Sequence, residues 1–269
     1  MSSLPTIVIL AAGEGTRMRS AIPKVLHEIG GRPMVAHVAA AVDEAFAEAR
    51  KGVVVGPGME RVAGAAGTKE SFTQSERLGT AHALLQARPL LERAEGPVLV
   101  LYGDTPLIRP QTLARLVASV TGTVDGAAVA VLGFRAADPT GYGRLLMADG
   151  SLAAIREERD ASEDERRVDL CNSGVMAFAS GAALRLLDRI GNDNAKGEFY
   201  LTDAVEIAVG DGLRAAVIEC PESEVLGVNT RVQLAEGEAE FQARARAAAM
   251  EAGATLIAPE TVFFAYDTL

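Results

Sequence analysis

Short apolar runs alternate with stretches of helical periodicity along most of this chain, and that alternation restricts its fold more than any other feature. Residues 6–10 (Thr-Ile-Val-Ile-Leu), 52–56 (Gly-Val-Val-Val-Gly) and 97–102 (Pro-Val-Leu-Val-Leu-Tyr) read as strands buried on both faces, the last being the strongest. Residues 69–74 read as a further short strand. Between them, Val35, Val38, Val42 and Phe46 recur at helical spacing over 34–51, and Leu84, Leu85 and Leu90 mark a helix over 79–93. Strands that alternate with amphipathic helices predict an α/β class: a mostly parallel sheet covered on both faces.

The second half alternates less regularly. Residues 126–134, 152–157 and 168–178 read as strands with fewer helices between them, which predicts a small antiparallel extension over the ligand end of the sheet. Residues 138–144 read as a turn-rich insertion, and the charged run 156–167 as a solvated loop with a helical turn. Helices over 181–190 and 200–209, a strand over 213–219 and a long helix over 230–252, N-capped by Thr230, complete the pattern.

In such sheets, ligands bind beyond the carboxyl ends of the strands. The loop after the first strand, Leu10-Ala-Ala-Gly-Glu-Gly-Thr-Arg-Met-Arg19 followed by Pro23-Lys24, brings backbone N–H groups, two arginines and a lysine into one small space. That is an anion cradle by composition. Met18 stands where a dinucleotide fingerprint needs a small residue, and the Gly-Lys-Ser/Thr of a Walker loop is absent. The residues alone leave a second reading open, in which Gly13 and Gly15 only make a tight turn and Arg17 and Arg19 are solvated. After the strongest strand, Gly103-Asp104-Thr105-Pro106 places an aspartate where it can hold a divalent cation through oxygen, or cap the helix that begins near Pro110.

Among its 269 residues, acidic side chains outnumber basic ones to give a formal charge of −10, which argues against a general nucleic-acid binder. No apolar run reaches the length of a bilayer span, and the N-terminus lacks a basic region followed by an apolar stretch, so a cytoplasmic location with no membrane partner is expected. Cys171 and Cys220 are far apart and are expected to be buried free thiols. His27, His37 and His82 show no metal-ligand spacing.

The 10–19 loop with Pro23-Lys24-Val-Leu resembles the signature of sugar-phosphate nucleotidyltransferases. Four further segments narrow the likeness: Gln74-Ser-Glu-Arg-Leu-Gly-Thr-Ala-His82, Leu101-Tyr-Gly-Asp-Thr-Pro-Leu107, Asp138-Pro-Thr-Gly-Tyr-Gly-Arg144 and Asn194-Ala-Lys-Gly-Glu-Phe-Tyr-Leu-Thr-Asp203. With Gly227-Val-Asn-Thr-Arg231, they resemble the uridylyltransferase domain of the bifunctional N-acetylglucosamine-1-phosphate uridylyltransferase/glucosamine-1-phosphate acetyltransferase family. The resemblance implies a Rossmann-like, mostly parallel mixed sheet with helices on both faces and a long C-terminal helix. It also implies conversion of UTP and N-acetylglucosamine 1-phosphate to UDP-N-acetylglucosamine and pyrophosphate with Mg²⁺, for bacterial envelope synthesis.

Carried over by motif, Leu10, Ala11, Ala12 and Gly13 would hold the uridine, with Gln74 and Gly79 reading the uracil and Thr80 nearby. Arg17 and Lys24 would contact the phosphates as catalytic residues, and Asp104 with Asn229 would bind Mg²⁺. Tyr102 and Gly103 would line the site, while Gly143, Glu157 and Asn172 would hold the sugar. The resemblance divides the chain into a nucleotidyltransferase domain over 1–229, a linker helix over 230–252 and, over 253–269, the approach to the family's hexapeptide-repeat β-helix. That β-helix supplies the family's acetyltransferase and trimer contacts; acetyl transfer is accordingly expected to be absent, and trimerisation is open. A related nucleotidyltransferase with another base or acceptor, and a non-catalytic UDP-sugar-binding domain, are the alternative readings.

Overall fold

The computed structural model describes residues 4–121 and 126–268. The first strand, β1 (Thr6–Ala11), is buried at every position and leads through single 3-10 turns at Thr16–Met18 and Lys24–Leu26 into a small hairpin, β2 (Glu28–Ile29) and β3 (Arg32–Pro33). Then come α1 (Met34–Ala45), β4 (Arg50–Val55), α2 (Glu60–Ala65), β5 (Glu70–Thr73), α3 (Thr80–Gln86), α4 (Arg88–Leu91), β6 (Val98–Tyr102) and α5 (Pro110–Ala118). Beyond them lie β7 (Val129–Arg135), β8 (Arg144–Ala148), β9 (Ser151–Arg156), α6 (Glu163–Arg166), β10 (Leu170–Phe178), α7 (Ala182–Leu187), α8 (Asp203–Gly210), β11 (Ala215–Glu219) and α9 (Arg231–Glu251).

The main sheet runs β11-β7-β10-β6-β1-β4-β5, with the β8–β9 hairpin joined to it through β10. β1 pairs in parallel with β4 on one side and β6 on the other, and β10 enters antiparallel between β6 and β7. The expected mostly parallel mixed sheet with an antiparallel part is therefore present. Alternate residues of β1 and the residue after it divide between two cores: Ile7, Ile9 and Ala11 pack with Val53, Leu99 and Leu101, while Val8, Leu10 and Ala12 pack with Val54, Val98 and Val100. Burial on both faces is why these strands read as continuous apolar runs.

Three departures from the sequence reading have local causes. The helix expected over 34–51 stops at Ala45, where Phe46 leaves the helical region at φ −143° and ψ 68°, and after a left-handed Glu48 the chain enters β4 at Arg50. The helix expected over 79–93 divides at Ala87 into α3 and α4, since Pro89 has no N–H to continue the ladder. Residues 144–148 form a strand, β8, where the sequence suggested only the end of a turn-rich insertion; Leu145 packs inward but Met147 is exposed, and this weakens the alternation.

The capping of the last helix is as expected, with Thr230 Oγ1 accepting from Gln233 N. Cys171 and Cys220 are buried and free; burial pushes their thiols up to about 11 and about 12, which leaves them poor nucleophiles. Among the described residues no helix is long and apolar enough to cross a membrane.

Candidate active site

The sheet changes direction between β1 and β6. From β1 the chain proceeds outward through β4 and β5, then returns to β6 on the opposite side, so the carboxyl ends of β1 and β6 part over a topological switch point. Leu10 and Tyr102 are register partners there, and Gly103 N donates to Leu10 O at 3.0 Å. This pairing brings the glycine-rich loop and Asp104 together, although about ninety residues separate them in sequence.

A cavity of 340 Å³ opens at this point. Of the expected nucleoside-holding residues, Leu10, Ala11, Ala12, Gly13, Gln74, Gly79 and Thr80 line it, as do Lys24, Tyr102 and Asp104. Gln74 is 5% exposed; its amide nitrogen donates to Gly79 O at 3.1 Å and lies 3.2 Å from His82 Nδ1. The amide is thereby oriented with its carbonyl oxygen as the remaining acceptor.

At the cavity's polar end the Lys24 ammonium forms an ion pair with Asp104 and donates to Asn229 Oδ1 at 2.8 Å. Asp104 and Asn229 stand 80 and 205 residues from Lys24, yet their oxygens converge on one point. Val228 N donating to Asp104 O at 2.9 Å holds the two loops together, and Gln233 Oε1 accepts from Asn229 N at 2.8 Å. Two hard oxygen donors aimed at a cation suit Mg²⁺, which takes few protein ligands and completes its shell with water and phosphate oxygens. Among the described residues no group of three or more His, Cys, Asp or Glu side chains is placed to hold a metal unaided.

Arg17 lies outside the cavity lining, exposed on the 3-10 turn that follows the loop, and makes no ion pair among the described residues. Gly103 is not among the cavity-lining residues; a Cβ there would stand 3.2 and 3.3 Å from Val25 and Ala11, which are. Gly143, Glu157 and Asn172 gather in a separate cluster. Asn172 N donates to Gly143 O at 2.8 Å, and a Cβ on Gly143 would stand 3.4 Å from Glu157 Oε1. The cluster adjoins the cavity at Tyr102, whose hydroxyl pKa is raised by burial first and then by the charges of Glu157 and Asp104.

β10 is irregular between Asn172 and Met176, which turns the Asn172 side chain back so that its Oδ1 accepts from Gly174 N at 2.8 Å. Glu157 is not merely surface charge in the 156–167 run. Burial raises its pKa, and Thr202 Oγ1 donates to its Oε1 at 3.3 Å.

The cavity wall also includes Val25, Arg77, Ala83 and Glu198, which sequence reasoning did not single out. Arg77 lies within the Gln74–His82 motif, forms an ion pair with Glu14 and donates to Ala12 O at 3.4 Å, so it fastens the second loop to the first. Its place in the 74–82 segment is the sequence signal that points to it.

Asp203 begins α8 beside Glu157. Its carboxyl is pushed up to about 6, by burial first and then by Glu206, Glu157 and Asp160, with Arg156 opposing. A raised carboxyl pKa means that the folded chain holds this proton at pH values where the unfolded chain has released it. Stability attributable to Asp203 is therefore fully present below about pH 4, falls as pH rises through about 6 and stays low above that. Asp203→Asn is expected to stabilise the fold at neutral pH by about 1–2 kcal/mol after allowance for solvent screening, and to be near neutral at about pH 4. Urea unfolding at the two pH values checks this; an equal effect at both would show that the carboxyl titrates normally.

Residues 7–169 match the MobA-like NTP transferase domain, more than half of the chain, and the chain belongs to that family. Over 266 residues it is 60% identical to the bifunctional protein GlmU of Azorhizobium caulinodans, the match covering 97% of this chain and 58% of that protein. It is 58% identical over 267 residues to the bifunctional protein GlmU of Xanthobacter autotrophicus, covering 98% of this chain and 59% of the relative. The chain thus spans under two thirds of the length of these curated relatives. In fold it is similar to a putative glucose-1-phosphate thymidylyltransferase from Bacillus anthracis, solved in complex with a sucrose, with TM-score 0.68 and 18% identity over 87% of this chain and 94% of that one.

Proposed function

We propose that this chain joins UTP to N-acetylglucosamine 1-phosphate, forming UDP-N-acetylglucosamine and pyrophosphate. Family membership and the GlmU relatives support nucleotidyl transfer to a sugar phosphate. The observation that carries the finer reading is the convergence of Lys24, Asp104 and Asn229 at the polar end of a cavity whose other end carries Gln74 and Gly79. A nucleoside triphosphate has the same polarity, with a base at one end and phosphates at the other.

In this reading the nucleoside lies along Leu10–Gly13 backbone, and the free carbonyl of Gln74 accepts from the imide N–H of uracil. Glu157, Asn172 and the backbone at Gly143 hold the sugar beside Tyr102, and its phosphate oxygen attacks the α-phosphorus in line with the departing pyrophosphate. Asp104 and Asn229 would hold Mg²⁺, which supplies charge neutralisation at the phosphates. Lys24 donates to phosphate oxygens as negative charge shifts toward the leaving group, and Arg17, whose side chain is free in solvent, folds onto the pyrophosphate. No protein nucleophile is required, because alignment and charge stabilisation suffice for this chemistry. The nucleotidyltransferase unit in this reading is 1–229, with α9 packed beside it.

Incubation with each common nucleoside triphosphate and several sugar 1-phosphates in the presence of Mg²⁺, followed by pyrophosphate measurement, tests the assignment. UTP with N-acetylglucosamine 1-phosphate is expected to be the fastest pair. A faster pair with another base or sugar would replace the proposed substrates, and no release with any pair would refute the enzymatic reading.

A further inference from the structure

The first residue of α9 is an arginine, Arg231, at the end of the helix where the macrodipole disfavours positive charge. Local helix chemistry gives no reason for it, but its partners do. Arg231 Nε donates to Met18 O at 3.1 Å, across 213 residues of sequence, and its Nη1 donates to His27 Nδ1 at 3.2 Å.

Each partner belongs to a turn that carries a side chain assigned above to the phosphates. Met18 closes the 3-10 turn that presents Arg17; its side chain is 1% exposed, and its N–H donates to Gly15 O. His27 closes the neighbouring turn, its backbone N–H donating to Lys24 O at 3.1 Å. Arg231 itself follows Asn229 by two residues. One guanidinium therefore joins the turns of Arg17 and Lys24 to the loop of Asn229.

The His27 ring is suited to this contact. A guanidinium only donates, so Nδ1 must offer a lone pair and the ring must be neutral. Burial, and secondarily the Arg231 charge, lower the His27 pKa, consistent with that form. Nε2 is buried and has no hydrogen-bond partner among the described residues, so the contact with Arg231 is the polar bond this ring does make.

We infer that Arg231 is a positioning residue, which docks the Arg17 turn against the Lys24 turn and the Asn229 loop so that Arg17, Lys24 and the Asn229 oxygen can address one ligand. The inference rests on the proposed function in assigning Arg17 to the phosphates. Apart from Arg231, the Arg17 turn is held by the buried Met18 side chain and by close packing of Gly15 on Lys24, while the Arg17 side chain makes no ion pair among the described residues. Losing the guanidinium removes the polar tether of the turn, leaves it to the Met18 and Gly15 packing, and gives Arg17 more orientations to search.

The test compares Arg231→Met, Arg231→Lys and His27→Leu with the unsubstituted chain, each with and without Arg17→Ala. Arg231→Met is expected to lower kcat about tenfold or more with the KM for sugar phosphate changed less than about twofold. Arg231→Lys should recover only part of this, because a single ammonium cannot reproduce the two-donor fork. In the Arg17→Ala background, Arg231→Met should lower kcat by less than about twofold further, since the two residues act through one group. A full additional loss in that background would overturn the inference.

A second readout does not depend on turnover. Limited tryptic cleavage after Arg17 or Arg19 should be about fivefold faster in Arg231→Met while cleavage elsewhere is unchanged; an unchanged rate would also overturn the inference. If Arg231→Met does not fold, His27→Leu, which removes one of the two acceptors, is expected to show the same effects at smaller size, and no effect there would count against the inference. Should the unsubstituted chain release no pyrophosphate with any substrate pair, the functional reading fails, and the cleavage rates alone decide whether Arg231 tethers the turn.

Discussion

Asp104→Ala is expected to lower Mg²⁺-dependent pyrophosphate release about a thousandfold or more, roughly 4 kcal/mol of lost transition-state stabilisation. Two effects act in the same direction. Among the described residues the carboxylate is the one charged oxygen donor aimed at the point where Asp104, Lys24 and Asn229 meet, so its loss leaves Asn229 as a neutral ligand there. Lys24, whose side chain is only 10% exposed, also loses its ion-pair partner and rests on Asn229 alone. The fold should survive, because the bond that joins the two loops runs from Val228 N to the backbone carbonyl of Asp104, which alanine retains. Thermal melting measured beside turnover separates the outcomes. Activity within tenfold of the unsubstituted chain would remove Asp104 from the reaction, and a collapsed melting transition would mark it as structural.

Gly79→Ala is the substitution expected to cost most in stability, about 3 kcal/mol or more, with loss of nucleotide binding in whatever folded fraction remains. Gly79 sits at φ 110° with ψ 178°, a conformation that essentially only glycine adopts. A Cβ there would stand 2.5 Å from the carbonyl oxygen and 2.7 Å from the nitrogen of Phe199, both backbone atoms fixed by hydrogen bonds: Phe199 N donates to Leu78 O, and Phe199 O accepts from Ala81 N. No side-chain adjustment relieves such a contact. The carbonyl of Gly79 also orients the Gln74 amide, so displacement of this turn disorders the base-reading end of the cavity. Urea unfolding together with calorimetric titration of UTP checks both parts. Normal stability would mean that the turn can be rebuilt around a methyl group.

Much of the fold could be read because its determinants are local. β1 and β6 are apolar at nearly every position and β4 is apolar and buried over its last three residues, which marks strands buried on both faces, and glycine and proline mark their ends. Where local signals conflict, the reading failed: Pro89 splits a helix that leucine spacing makes continuous, and the exposed Met147 obscures β8. The site followed the same division. Asp104 could be singled out from its place after the strongest strand, whereas Arg77, Glu198 and Val25 enter the cavity wall by virtue of how loops stack.

The sequence by itself determined the class of sheet, the anion-binding composition of the 10–24 loop and a list of candidate residues that the resemblance connected to phosphate chemistry. Tertiary structure alone decided which of them meet. Lys24 reaches Asp104 and Asn229 across 80 and 205 residues, while Arg17 stands apart, exposed on its turn. The physical reason is that periodicity and turn chemistry act over a few residues, whereas side-chain convergence depends on strand order. β6 lies beside β1 because the chain crosses back after β5, and only that crossing sets Asp104 against Lys24.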